Sequence, residues 1–106
     1  MDNEITRLTV TVNHLESLQR IYWADLKDLI SIYNRVLEPI GHQAQHVWVL
    51  DAVDFPTAHW TALYQYAQQP GLNPVVRRVA EYVAETACDL NNAAQELAEL
   101  EQQAAC

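Results

Sequence analysis

Residues 3–38 read NEITRLTVTVNHLESLQRIYWADLKDLISIYNRVLE, and the fold turns on how this stretch is read. Apolar side chains recur at alternating steps of three and four: Ile5, Leu8, Val12, Leu15, Tyr22, Leu26, Leu29, Tyr33 and Val36. Only Gln19 interrupts that stripe with a polar group. This is the period of a helix that buries one face, not of a strand. Thr9, Val10, Thr11 and Val12 are β-branched and would suit a strand. The stripe continues on both sides of them, so one unbroken helix is expected.

Outward from this element, punctuation divides the chain. It has two glycines and four prolines: Pro39 and Gly41 form one break, Pro56 a second, and Pro70, Gly71 and Pro74 a third. The last element opens with Asn73 as N-cap and Pro74 at the first helical position, and it reaches close to the C-terminus. Its stripe is Val76, Val79, Val83, Leu90, Ala93, Leu97, Leu100 and Ala104, with Thr86 the exception. Two short segments lie between, residues 43–54 and 57–68. The second places Trp60, Leu63, Tyr64 and Ala67 on one face. The first carries the run Val47, Trp48, Val49 and Leu50, followed by Val53, and is taken as helix because no partner strand is visible. The expected fold is a single all-α domain, residues 1–106: a four-helix arrangement built on a long antiparallel hairpin.

A geometric consequence follows. The long helices each span about 45–50 Å and the short ones about 18 Å, so the short helices cover only one end of the hairpin. The sequence agrees with this. From Leu18 to Leu37 the first helix is apolar well beyond its stripe, through Leu18, Ile21, Trp23, Ile30, Ile32 and Leu37. Before Leu18 the stripe is narrow, as in a two-helix coiled coil. A compact head with a thin arm carrying both termini is expected. Trp23, Trp48 and Trp60 all belong to segments that meet in the head, where they are expected to pack together.

Composition excludes several function classes. Fourteen acids against six bases give a formal net charge of −8 in 106 residues. Nonspecific nucleic-acid binding draws on Lys and Arg against phosphates, so direct nucleic-acid binding is not expected. Half the residues are hydrophobic, which argues against disorder. No apolar run approaches the roughly 18 residues of a membrane helix, and Asp2 and Glu4 are unlike a signal peptide. Cys88 and Cys106 would stand about 27 Å apart on one helix, beyond a disulfide. Free thiols and a cytoplasmic location are therefore expected.

Candidate chemistry is sparse. His42 and His46 stand four apart with Glu38 four residues earlier, a metal-ligand spacing on a continuous helix. Pro39 and Gly41 break that helix between Glu38 and His42. Arg35 and His42 are similar in spacing to ribonuclease-type helical dimers of the HEPN class, but the same break intervenes. Ser17 and Ser31 lie inside the first helix, where no nucleophile elbow forms, and Gly41 and Gly71 stand alone rather than in a phosphate loop. No enzyme, metal or cofactor is expected. The alternative is a helical-bundle enzyme or metal-binding protein centred on Arg35, His42 and His46.

The acids are the more informative feature. From Val79 onward come Glu81, Glu85, Asp89, Glu96, Glu99 and Glu101, and no base. Glu81, Glu85 and Asp89 step by four along one face, a like-charge ladder that disfavours the helix by a few tenths of a kcal/mol per pair. A solubilising face accounts for it, and so does a recognition surface for a basic protein. Arg77 and Arg78 occupy the first turn of the last helix, where the dipole disfavours cations. They are expected either to pair with Asp51, Asp54 or Glu38 or to anchor a partner. Tyr66 falls off the Trp60 stripe and is expected to be an exposed contact. The partner-binding set is thus Glu81, Glu85, Asp89, Glu96, Glu99, Tyr66, Arg77 and Arg78. The expected function is a small acidic protein-binding module, of the kind that antagonises a nucleic-acid-binding machine in phages and mobile elements. Its bare arm would dock on a second copy or on the partner.

Overall fold

The computed structural model describes residues 2–36, 39 and 52–105. In chain order these form a long helix α1 (Asp2–Val36), a 3-10 turn (Thr57–His59) that runs into a short helix α2 (Trp60–Ala67), and a second long helix α3 (Pro74–Ala105). No strand occurs among the described residues.

The β-branched run is helical, and its two hydroxyls are absorbed locally. Thr9 Oγ1 donates to the Ile5 carbonyl at 2.8 Å and Thr11 Oγ1 to that of Arg7 at 3.0 Å. Such bonds one turn back satisfy a side chain that would otherwise compete with the helix. At α3 the expected cap is present. Asn73 Oδ1 accepts from the Val75 amide at 2.9 Å and the Val76 amide at 3.4 Å, with Pro74 at the first helical position. Between α2 and α3 the chain reverses through Gln69, Pro70, Gly71 and Leu72. The Leu72 amide donates to the Gln69 carbonyl at 3.4 Å, and Gly71 has φ of 82°. Proline followed by a residue in the left-handed region is the requirement of a type II turn, and glycine adopts it without Cβ strain.

Both α1 and α2 pack on α3, which is the shared helix. The α1–α3 pairing is antiparallel: Glu16 and Gln19 share a cleft with Leu90, while Tyr22, further along α1, meets Tyr82, further back on α3. The resulting body measures 60 × 20 × 20 Å.

Burial divides this rod into two parts. Trp23, Leu26 and Ile30 of α1, Phe55 of the connection, Leu63, Tyr66 and Ala67 of α2, and Leu72 form one buried cluster with Val76, Ala80, Val83, Ala84 and Ala87 of α3. Beyond Gln19 and Leu90 only Val12 is buried, while Ile5, Leu8, Leu15, Leu97 and Leu100 are half-buried and Ala104 is exposed. The head and the arm read from the sequence are both present.

Some expectations need correction. Val36 and the extra apolar residues Ile21 and Ile32 are exposed, whereas the extra residues Trp23 and Ile30 are core. A helix packed on a single neighbour buries one arc, and Ile21 and Ile32 fall outside it. On α2 the buried arc is rotated from the expected one: Tyr66 is 7% exposed and Tyr64 43%. Of the expected helix over residues 43–54, only Ala52, Val53 and Asp54 are described, and these are not helical. The rest of it, Trp48 included, lies outside the described residues, as do His42, His46, Glu38, Asp51 and Cys106. Trp23 joins the core and Trp60 packs against it.

The end of that connection is tied to α1 by contacts that periodicity does not reveal. Trp23 Nε1 donates to the Ala52 carbonyl at 3.1 Å and Lys27 Nζ to the same oxygen at 3.2 Å. Phe55 then sets its ring 5.1 Å from that of Trp23.

Candidate functional site

Because α3 is one uninterrupted helix, the positions of its acids can be read from the helical repeat. At 100° per residue, Glu81, Glu85, Asp89, Glu96 and Glu99 fall within an arc of about 80° and span about 27 Å along the axis. All except the partly covered Glu81 are exposed. None of the five has an ion-pair partner within the described residues. The ladder is therefore a continuous, solvated negative strip that starts in the head and runs down the arm.

In the head the strip meets a groove. Trp60 and Tyr64, one turn apart on α2, face Glu85 and Asp89, one turn apart on α3, across a cavity of about 370 Å³. Ala84 and Cys88 complete the lining. The groove exists because these two small side chains occupy successive turns of α3 where α2 approaches. Cys88 is a free, half-covered thiol whose sulfur accepts from Asn92 Nδ2 at 3.7 Å.

Arg77 and Arg78 part company. Arg77 does not pair with an acid among the described residues. Its Nε donates to the Ala67 carbonyl at 2.9 Å and its Nη2 to that of Gln69 at 3.0 Å. It thus satisfies carbonyls left open at the end of α2, where the helix dipole favours a cation. Asp54, a partner expected for it, instead meets Arg20 at 3.5 Å, with both side chains largely exposed. Arg78 donates from Nε to Tyr82 Oη at 2.9 Å and lies 5.5 Å from the centre of that ring. The bond to Tyr82, then its field and those of Glu81 and Glu85, hold this guanidinium above its usual pKa. Tyr22 backs the pair, with its ring 5.6 Å from that of Tyr82.

Tyr66 is no exposed contact. It belongs to the core, its hydroxyl has no hydrogen-bond partner among the described residues, and burial pushes its pKa up to about 12. The aromatic residue that does line a surface is Tyr64, which the α2 face had assigned to the core. The signal missed in the sequence was the pair of small residues Ala84 and Cys88 at helical spacing, opposite two aromatics at the same spacing.

A second, smaller cleft of about 220 Å³ lies between α1 and the connection, lined by Gln19, Arg20, Asp54, Phe55 and Leu90 among others. Gln19 is 4% exposed, and neither end of its amide has a partner among the described residues. Among the described residues no three His, Cys, Asp or Glu side chains gather to hold a metal ion, and no helix is long and apolar enough to cross a membrane. No protein-family model, curated protein or solved structure matches the chain.

Proposed function

We propose that this chain is a small, non-enzymatic protein-binding module that presents the acidic strip of α3 to a basic partner. The observation that supports it is the strip: five carboxylates on one arc of a single helix, without cations interspersed. An ordinary solvated helix mixes signs and gains from it, whereas this one accepts like-charge repulsion at each four-residue step. A field of one sign along a rigid rod steers an oppositely charged surface and sets its register. A basic surface in a cell is most often one that binds nucleic acid, so the concrete form of the reading is an inhibitor or antagonist of a nucleic-acid-binding machine, acting in the cytoplasm. Its architecture is the four-helix arrangement on the α1–α3 hairpin.

The test is association kinetics with an immobilised Arg- and Lys-rich peptide at two ionic strengths. Reversing Glu96 and Glu99 to Lys, both on the arm and away from the core, lowers the association rate several-fold at low salt. The difference shrinks as salt rises. A rate indifferent to both the reversal and the salt would sink the reading. A pull-down from the native host then identifies the partner.

The arm supports one addition. Its half-buried Ile5, Leu8, Leu97 and Leu100 leave apolar surface that two helices alone cover poorly. Docking of this face on a second copy makes the module a homodimer. Sedimentation as a strict monomer across concentrations excludes that addition without touching the acidic strip.

A further inference from the structure

We propose that the groove between α2 and α3 is a pocket for a single arginine side chain of the partner. The proposal rests on the basic-partner reading above and names the residue that is gripped. The cavity, about 370 Å³, sits at the lower end of the roughly 300–1,000 Å³ usual for small-ligand sites and has room for one long side chain. Its walls differ in kind. One is aromatic, Trp60 and Tyr64; the other is anionic, Glu85 and Asp89; the small Ala84 and Cys88 leave the space between them.

That combination suits a guanidinium better than an ammonium. A guanidinium is planar and weakly hydrated, so it can lie against a ring while its edge donates paired hydrogen bonds to carboxylates. A lysine ammonium is compact and strongly hydrated, and it would give up more solvation to enter an apolar slot. The chain shows a related arrangement about two turns back along α3, where Arg78 lies over the Tyr82 ring and bonds its hydroxyl. Three other head cations are engaged elsewhere: Arg77 on the carbonyls ending α2, Lys27 on Trp23 and Ala52, Arg20 on Asp54. Glu85 lies in the field of Arg78, but neither it nor Asp89 has an ion-pair partner among the described residues, which leaves both carboxylates open to a further cation.

Cys88 supplies the readout, because an occupied groove covers its thiol. The experiment uses the full chain carrying Cys106→Ser, so that Cys88 is the only thiol, and measures its alkylation by uncharged iodoacetamide. The probes are three blocked glycine-flanked peptides with arginine, lysine or citrulline at the centre. The arginine peptide slows alkylation saturably, the lysine peptide does so several-fold more weakly, and the citrulline peptide not at all. Tyr64→Ala, at an exposed position outside the core, weakens the arginine effect about fivefold, the loss expected for one cation–π contact. Glu85→Gln weakens it as well and serves as the second variant should Tyr64→Ala disturb the fold, which circular dichroism reports. Equal protection by arginine and lysine peptides, indifferent to Tyr64→Ala, overturns the pocket while leaving the strip as a basic-partner surface. Conversely, selective protection by arginine alongside salt-indifferent association with the basic peptide keeps the pocket and overturns the strip.

Discussion

The head and the arm are built from the same two helices and differ in what lies beside them. In the head, α1 and α2 both pack on α3, and side chains such as Leu26, Ile30, Leu63 and Val83 are excluded from solvent. In the arm, among the described residues, α1 and α3 have only each other, and equally apolar residues such as Leu8 and Leu97 stay half-covered. The lesson is about neighbours rather than composition. One helix pair covers a stripe, while a third element is needed to close a core.

The comparison breaks most visibly under truncation. Leu63→Ala and Ile30→Ala remove fully buried side chains, and each is expected to lower stability by about 2–5 kcal/mol. Leu8→Ala and Leu97→Ala in the arm should lose well under half as much, because part of that surface is already wet. Urea denaturation of the four variants measures it. Equal losses at both ends would mean that the arm is covered in solution, as a homodimer would cover it.

A pH experiment sharpens the head's side of the contrast. Tyr66 is held neutral up to about pH 12 when folded, whereas an unfolded tyrosine ionises near pH 10. A raised folded pKa means that stability is fully present below about pH 10 and declines as pH climbs towards 12, since the unfolded state releases its proton first. The expected decline is on the order of 2–3 kcal/mol. Tyr66→Phe should remove it and, by deleting an unpartnered buried hydroxyl, should not weaken the protein at neutral pH. Denaturation midpoints at neutral pH and across the alkaline range decide this. A parallel fall in Tyr66→Phe would assign the loss to other groups.

Gln19 marks the boundary between the two regions. Both ends of its buried amide lack partners among the described residues, so Gln19→Leu is expected to raise stability by about 1–2 kcal/mol. Thermal unfolding measures the gain, and a drop would show that the amide is satisfied in solution. The smallest effect belongs to the rim. Asp54→Asn removes an exposed pair with Arg20 and should change stability by a few tenths of a kcal/mol, less at high salt. A change above about 1 kcal/mol would show that the connection depends on that pair.

How much of this was legible beforehand depended on the range of the interaction. Helices α1 and α3, their antiparallel pairing and the head–arm division follow from residue spacing, because a repeat of 3.6 residues dictates which side chains share a face, and the N-cap of α3 follows from Asn73 before Pro74. The acidic strip is legible for the same reason, since it lies on a single helix. The groove is not, because Trp60 and Tyr64 come from α2 and Glu85, Cys88 and Asp89 from α3, and their meeting depends on how α2 is rotated on its neighbour.

The sequence by itself determined the all-helical class, the two long helices with the capped start of α3, and the sign and line of the surface charge. These are properties of nearest neighbours along a chain and of a fixed helical period. Only the tertiary structure decided that Tyr66 is core and Tyr64 is surface, that Arg77 closes the end of α2 rather than facing a partner, and that Arg20 meets Asp54. A short helix such as α2 carries too few periods to specify its own buried arc. The packing against α3 selects that arc, and with it which aromatic ring faces the carboxylates.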